Sequence, residues 1–265
     1  MVGLLFLVLT LAAPSQPARD GSVSVNGVHL HYVDWGGRGP VLVFLIGGGN
    51  GDAHTYDSFA PRFVDRFRVL GLTRRGQGSS DKPAGGYDTD TLAGDIRGFL
   101  DALRLERVVL LGHSIAGAEM TRFAGLYPKR VVKLVYLDSA LDYKRLAEIS
   151  AEARFTGNPT DTPLGQIEAG AAAAHPDFTK VKAPALAFVV VYDEVPVTRP
   201  QDDPAYRRYV ELLYEKGFWW EVSRQFQTQM KNGRVIHLHN TNHNFFKDPA
   251  QVDGVVSEIR GFLMP

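Results

Sequence analysis

The stretch RVVLLGHSIAG, Arg107 to Gly117, runs from an unbroken apolar segment through Gly112-His113-Ser114-Ile115-Ala116-Gly117 into an apolar helical pattern that ends at Tyr127. An unbroken apolar run of this length predicts a strand covered on both faces, as in a parallel sheet. Ser114 then falls on the turn between that strand and the following helix. A serine there is exposed by a sharp backbone turn, which demands small residues two positions before and two after; Gly112 and Ala116 meet that demand. The helix start directs its free N–H groups and positive dipole end at the serine, and the Ile115 N–H is available to a developing oxyanion. A serine before a helix also serves as an ordinary N-cap. The strand-turn-helix context favours the nucleophile.

Working outward, short apolar runs alternate with helical periods. Strands are predicted at Val28–Asp34, Val41–Ile46, Arg68–Leu72, Arg107–Gly112, Val131–Leu137, Ala185–Val191 and Val235–His239. Between them Leu92, Ile96, Phe99, Leu100 and Leu103 recur at helical spacing, with Asp88 or Thr89 placed to cap. In the last helix Asp248 is the expected cap and Pro249 the first-turn residue, with Val252, Val255, Val256, Ile259 and Leu263 on one face. This alternation predicts an α/β fold, a doubly wound and mostly parallel sheet with helices on both faces. Two segments leave the sheet, Ser139–Val181 and Pro196–Gly233. Strands resume after each, so residues 21–265 read as one domain carrying an insertion at about 139–182.

The reaction that Ser114 suggests needs an oxyanion loop, a base and an acid. The loop after the strand Val41–Ile46 is Gly47-Gly48-Gly49-Asn50-Gly51, whose amides approach a ligand unobstructed by side chains; Gly48 N–H is the expected second donor, with Gly47 next. It lacks the lysine of a phosphate loop. Of the eight histidines, His243 lies in the loop between the last strand and last helix, at the carboxyl edge where sites of parallel sheets assemble. His29 and His31 alternate on an early strand and His237 and His239 on the last, as sheet-face residues do. His237, His239 and His243 have no recognised zinc spacing, so no metal is expected. The acid that orients the imidazole is expected at a strand end. Asp193 is the first choice, Asp138 satisfies the same Ser…Asp…His order, and Glu194 is third.

Composition narrows the classes further. The 265 residues carry 29 basic and 29 acidic side chains, so there is no cationic surplus to displace counterions from nucleic acid. Hydrophobic residues at 45% and charged residues at 22% exclude a largely disordered chain. Without cysteine there is no thiolate metal site, cysteine nucleophile or lipidated cysteine. The apolar run Val2–Ala13 is shorter than the roughly 20 residues of a spanning helix. Followed by Ala13-Pro14-Ser15, it reads as a secretory signal within residues 1–20, implying a secreted or periplasmic protein without a stable membrane anchor. The competing reading is an extra N-terminal element on a cytoplasmic protein.

The chain resembles the α/β-hydrolases. The matching stretches are FLIGGG, LTRRGQGSSDKP, LLGHSIAG, YPKRVVKLVYLDSA and TNHNFF, in the family's order between Val28 and Leu263. The resemblance implies a serine hydrolase with no cofactor, acting on a small-molecule ester through Ser114, His243 and an acid usually placed at Asp193. A minority of relatives place the acid one strand earlier, at Asp138. It also implies a short helical cap over the site at Ser139–Val181. Ile46 stands where the family often has the histidine that supports the oxyanion loop, and Thr73 where it often has aspartate. A serine nucleophile argues against the halide- and epoxide-cleaving relatives, which use aspartate. Perhydrolase, haloperoxidase or acyltransferase chemistry on the same triad, and a non-catalytic binding protein on this fold, are the alternatives. Phe218-Trp219-Trp220, the alanine-rich stretch and Phe245-Phe246 are candidates to line an apolar pocket, with core packing their other use.

Overall fold

The computed structural model describes residues 17–192 and 203–264. The signal-like run Val2–Ala13, together with Asp193 and Glu194, lies outside them. Eight strands form one sheet: β1 Arg19–Val25, β2 Val28–Gly36, β3 Val41–Leu45, β4 Arg68–Leu72, β5 Val108–His113, β6 Val131–Leu137, β7 Ala185–Val190 and β8 Gly233–Leu238. Their order is β1-β2-β4-β3-β5-β6-β7-β8. β1 and β2 pair antiparallel, β2 pairs antiparallel with β4, and every later pairing is parallel. β5 is central, fully buried along its length and flanked by β3 and β6. Parallel pairing with Leu45 opposite Gly112 and His113 opposite Leu137 brings the strand ends level. The loops after β3, β5 and β6 therefore emerge side by side, as the fold's ligand-binding edge requires.

Among the described residues, seven α-helices accompany the sheet: α1 Thr89–Ala102, α2 Ala116–Leu126, α3 Tyr143–Glu152, α4 Pro163–Ala174, α5 Pro204–Glu215, α6 Phe218–Gln229 and α7 Val252–Leu263. On one face Ile96, Phe99 and Leu100 of α1, Met120 and Phe123 of α2 and Phe226 of α6 cover Val43, Leu110 and Leu134. On the other, Val255 and Ile259 of α7 join Tyr56, Phe59 and Phe63 against Phe44, Leu111 and Phe188. Phe44 is wholly buried among those rings. Truncating it to Ala would cost about 3–5 kcal/mol. α1 starts where its sequence says, with the Asp88 carboxylate accepting from Thr91 N. Such a cap contributes about 1 kcal/mol.

Several expectations need correction. β1, Arg19–Val25, precedes the strands expected from the sequence; its polar alternation RDGSVSV is that of an edge strand with one exposed side. α7 begins at Val252, not at Pro249, because Asp248 closes a turn through Ala250 N before the helix starts. Phe245 and Phe246 are buried in the α7-side core rather than lining a pocket. Phe218 packs with Ile149 of α3 and Leu213 of α5, and Trp220 is half exposed over His237. Thus the two excursions meet: α3, α5 and α6 share one apolar cluster above the sheet edge.

Candidate active site

The β5–α2 junction is as tight as its sequence implies. Ser114 has φ 54°, a left-handed backbone that a non-glycine residue adopts only when its surroundings enforce it. Ser114 N donates to Leu137 O at 3.2 Å, fixing the turn to the neighbouring strand. Gly117 is the strictest requirement: a Cβ there would lie 1.7 Å from Ser139 O. Ser139 in turn donates from Oγ to Gly112 O at 2.8 Å. A Cβ on Gly112 would lie 3.3 Å from Ala116 Cβ, closer than ordinary contact, which fits the small residues picked out from the sequence.

The carboxylate beside His243 is Asp138. His243 Nδ1 lies 2.6 Å from Asp138 Oδ2, and Asp138 Oδ1 accepts from Val190 N at 3.1 Å. A carboxylate only accepts, so Nδ1 carries the proton and Nε2 is left as the basic nitrogen. The Asp138 side chain is 2% exposed and its φ is 45°, a second left-handed residue at the same edge. Asp193, the first choice from sequence, lies outside the described residues, and the structure brings the alternative to the imidazole. The physical reason is adjacency: β6 is the immediate neighbour of β5, so its end lies beside Ser114.

His113, which reads from sequence only as a flank of Ser114, holds the His243 loop. Its Nε2 donates to His243 O at 2.9 Å, and the two rings sit 4.4 Å apart. Burial pushes its pKa down to about 3, with the neighbouring His243 adding to the effect, so the ring stays neutral and keeps this donor. His243 itself remains partly open to solvent.

The glycine loop approaches the serine closely. A Cβ on Gly47 would lie 2.7 Å from His113 Nδ1 and 3.4 Å from Ser114 Cβ, and one on Gly48 would meet Leu164 of α4 and Ile115. With Ile46 in place of a histidine, another support holds the loop. Arg74 donates to Ile46 O at 2.7 Å and Gly47 O at 3.2 Å, and Gln77 Nε2 to Gly47 O at 3.2 Å and Gly49 O at 2.7 Å. Arg74 is itself clamped by both Glu119 oxygens, at 2.7 and 2.9 Å, and by Gln77 Oε1 at 2.6 Å. Burial pushes the Glu119 carboxyl above its ordinary range while Arg74 opposes the shift. With the carbonyls of 46, 47 and 49 gripped from one side, the loop is fixed against the serine before any ligand arrives.

Two tyrosines complete the edge, and neither has a local sequence signal. Tyr143, the first residue of α3, lies near the Ser114 side chain; burial raises its phenol, which therefore stays protonated. The Tyr192 phenol, raised by burial, lies near the His243 backbone. His237, one of the three histidines weighed for a metal, turns instead to Ser223 Oγ at 2.9 Å.

Comparison with known proteins agrees with this architecture. Residues 40–177 match the family model described as alpha/beta hydrolase fold. The chain is 36% identical over 122 residues to a non-heme chloroperoxidase of Streptomyces lividans, covering 45% of this chain and 44% of that protein. It is 38% identical over 119 residues to an N-formylmaleamate deformylase of Pseudomonas putida, covering 44% of each. These matches thus span less than half the length of either relative. Among solved structures, that of E-2-(acetamidomethylene)succinate hydrolase superposes with a TM-score of 0.67 at 18% identity, over 93% of this chain and 99% of the other.

Proposed function

Because the chain belongs to the α/β-hydrolase fold family, we propose that it is a serine hydrolase that cleaves small to medium carboxylic esters through an acyl-Ser114 intermediate. The observation that carries this reading is the His243–Asp138 pair beside the left-handed turn at Ser114. Ser114 Oγ attacks the ester carbonyl and passes its proton to His243 Nε2. The imidazolium, stabilised by buried Asp138, returns that proton to the leaving alcohol, and water then repeats the sequence on the acyl-serine. Asp138 takes the role first given to Asp193. Gly48 N–H and Ile115 N–H are the oxyanion donors, on a loop that Arg74 and Gln77 preorganise.

The second reading is perhydrolysis on the same triad, favoured by the similarity to a chloroperoxidase. The two differ only in whether water or hydrogen peroxide takes the acyl group. A panel of p-nitrophenyl esters, run with and without peroxide on the wild type and Ser114→Ala, tests both. Ester hydrolysis lost by about three decades in the folded variant supports the proposal. Activity kept by Ser114→Ala overturns it, and peracid formation outpacing hydrolysis favours the second reading.

A further inference from the structure

On the sheet's antiparallel edge, three metal-ligating side chains from separate segments converge. Asp20 lies on edge strand β1, His31 on β2, and His54 in the one-turn helix Ala53–Tyr56 that follows the glycine loop. Asp20 Oδ1 is 2.7 Å from His31 Nε2 and 2.8 Å from His54 Nε2, and the three atoms all lie within 4.8 Å of one another. We propose that Asp20, His31 and His54 form a zinc-binding site, with water in the fourth position on its open side.

The far side of each imidazole supports the assignment. His54 Nδ1 is 2.9 Å from Asp57 Oδ2, and the other Asp57 oxygen accepts from Trp35 Nε1 at 2.9 Å. His31 Nδ1 is 2.8 Å from Thr73 Oγ1. Each ring thus turns Nε2 to the centre while an outer partner fixes Nδ1, the carboxylate–histidine–metal arrangement on His54 and its hydroxyl counterpart on His31. A neutral imidazole has one N–H, yet both nitrogens of His54 face carboxylate oxygens. A cation at Nε2 resolves this, leaving Nδ1–H to donate to Asp57.

Two imidazoles and a carboxylate suit zinc and its late first-row neighbours rather than magnesium or calcium. Zinc bonds of about 2.0–2.2 Å in a tetrahedron hold their ligand atoms roughly 3.3 Å apart, so the centre must open by about half an ångström. Asp20 is the ligand able to give way, because its side chain is 62% exposed on the edge strand while that of His31 is 10% exposed. The bound ion would staple β1 to β2 and to the segment leaving the oxyanion loop. Its role is structural, since none of these residues belongs to the proposed triad.

The full-length, tag-free chain, stripped by chelator and dialysed, is titrated with zinc chloride by calorimetry while its melting temperature is followed. The expected result is one zinc per chain and a Tm rise of about 5 °C or more at a hundredfold excess over Kd. His54→Ala and Asp20→Asn should bind at least tenfold more weakly, with His237→Ala unchanged. Asp57→Asn keeps all three ligands and should weaken binding by about 10–100-fold, an effect that a merely structural role for Asp57 would not produce. No zinc uptake by the folded wild type, or uptake equal in the wild type and His54→Ala, would overturn the site and leave a proton as the cation at His54.

Discussion

Replacing Asp138 with Asn isolates the role of one buried charge. The substitution preserves shape: Asn tolerates the left-handed backbone at φ 45°, and its carbonyl oxygen can still accept from Val190 N, now 3.1 Å from Oδ1. What changes is the atom 2.6 Å from His243 Nδ1, where an acceptor becomes an NH₂ donor. The imidazole must then present a lone pair at Nδ1 and carry its proton on Nε2, where it cannot take one from Ser114. Loss of the correct tautomer and of the charge that stabilises the imidazolium costs on the order of 10⁴ in kcat. That is about 5.5 kcal/mol of transition-state stabilisation. The assay is steady-state hydrolysis of p-nitrophenyl butyrate by variants whose circular dichroism matches the wild type. Asp193→Asn, made alongside, should stay within a few-fold of the wild type. An Asp138→Asn enzyme within tenfold of the wild type, with Asp193→Asn crippled, would refute the reasoning and move the acid one strand later.

Glu119→Ala leaves the buried Arg74 guanidinium without its carboxylate, which should cost about 3–5 kcal/mol and lower the thermal midpoint by roughly 6–20 °C; a loss under 1 kcal/mol in urea unfolding would show that the clamp is dispensable. His113 binds its proton near pH 3 when folded and near 6.5 when unfolded, so the unfolded state holds the extra proton between these values. Stability should be unaffected by this group above pH 6.5 and fall by up to about 1.4 kcal/mol per pH unit below it, and His113→Gln should flatten that slope between pH 7 and 5. An unchanged slope in urea titrations counts against a neutral buried ring. Among p-nitrophenyl esters, rates should peak at short acyl chains and fall beyond roughly eight carbons, where added CH₂ groups no longer gain their ~0.8 kcal/mol of burial; rates rising to sixteen carbons, or a jump at a lipid interface, would indicate a lipase.

The elements legible in the sequence are those encoded by neighbours along the chain. β5, the turn at Ser114 and α2 are specified by a buried strand run, small residues and a helical period within about twenty positions. His243 was legible because it lies between the last strand and helix of a recognisable alternation. The acid was not decided, since Asp138 and Asp193 both follow apolar strands, and only the sheet order distinguishes them. The support of the glycine loop was hidden for a different reason. Arg74, Gln77 and Glu119 read as solvated charge and polarity until the fold buries Arg74 and Gln77 against the loop carbonyls and Glu119 against Arg74. Tyr143 reaches Ser114 only once α3 is in place above the sheet edge. Phe245 and Phe246 stayed open between core and pocket because hydrophobicity says a ring is buried without saying where.

Reacting the folded chain with a fluorophosphonate and mapping the adduct by mass spectrometry asks whether Ser114 is a nucleophile activated by His243. The expected result is one adduct per chain, on Ser114, absent from Ser114→Ala and formed orders of magnitude more slowly in His243→Ala. A folded wild-type chain that takes no adduct, or one labelled elsewhere and equally in Ser114→Ala, would contradict it.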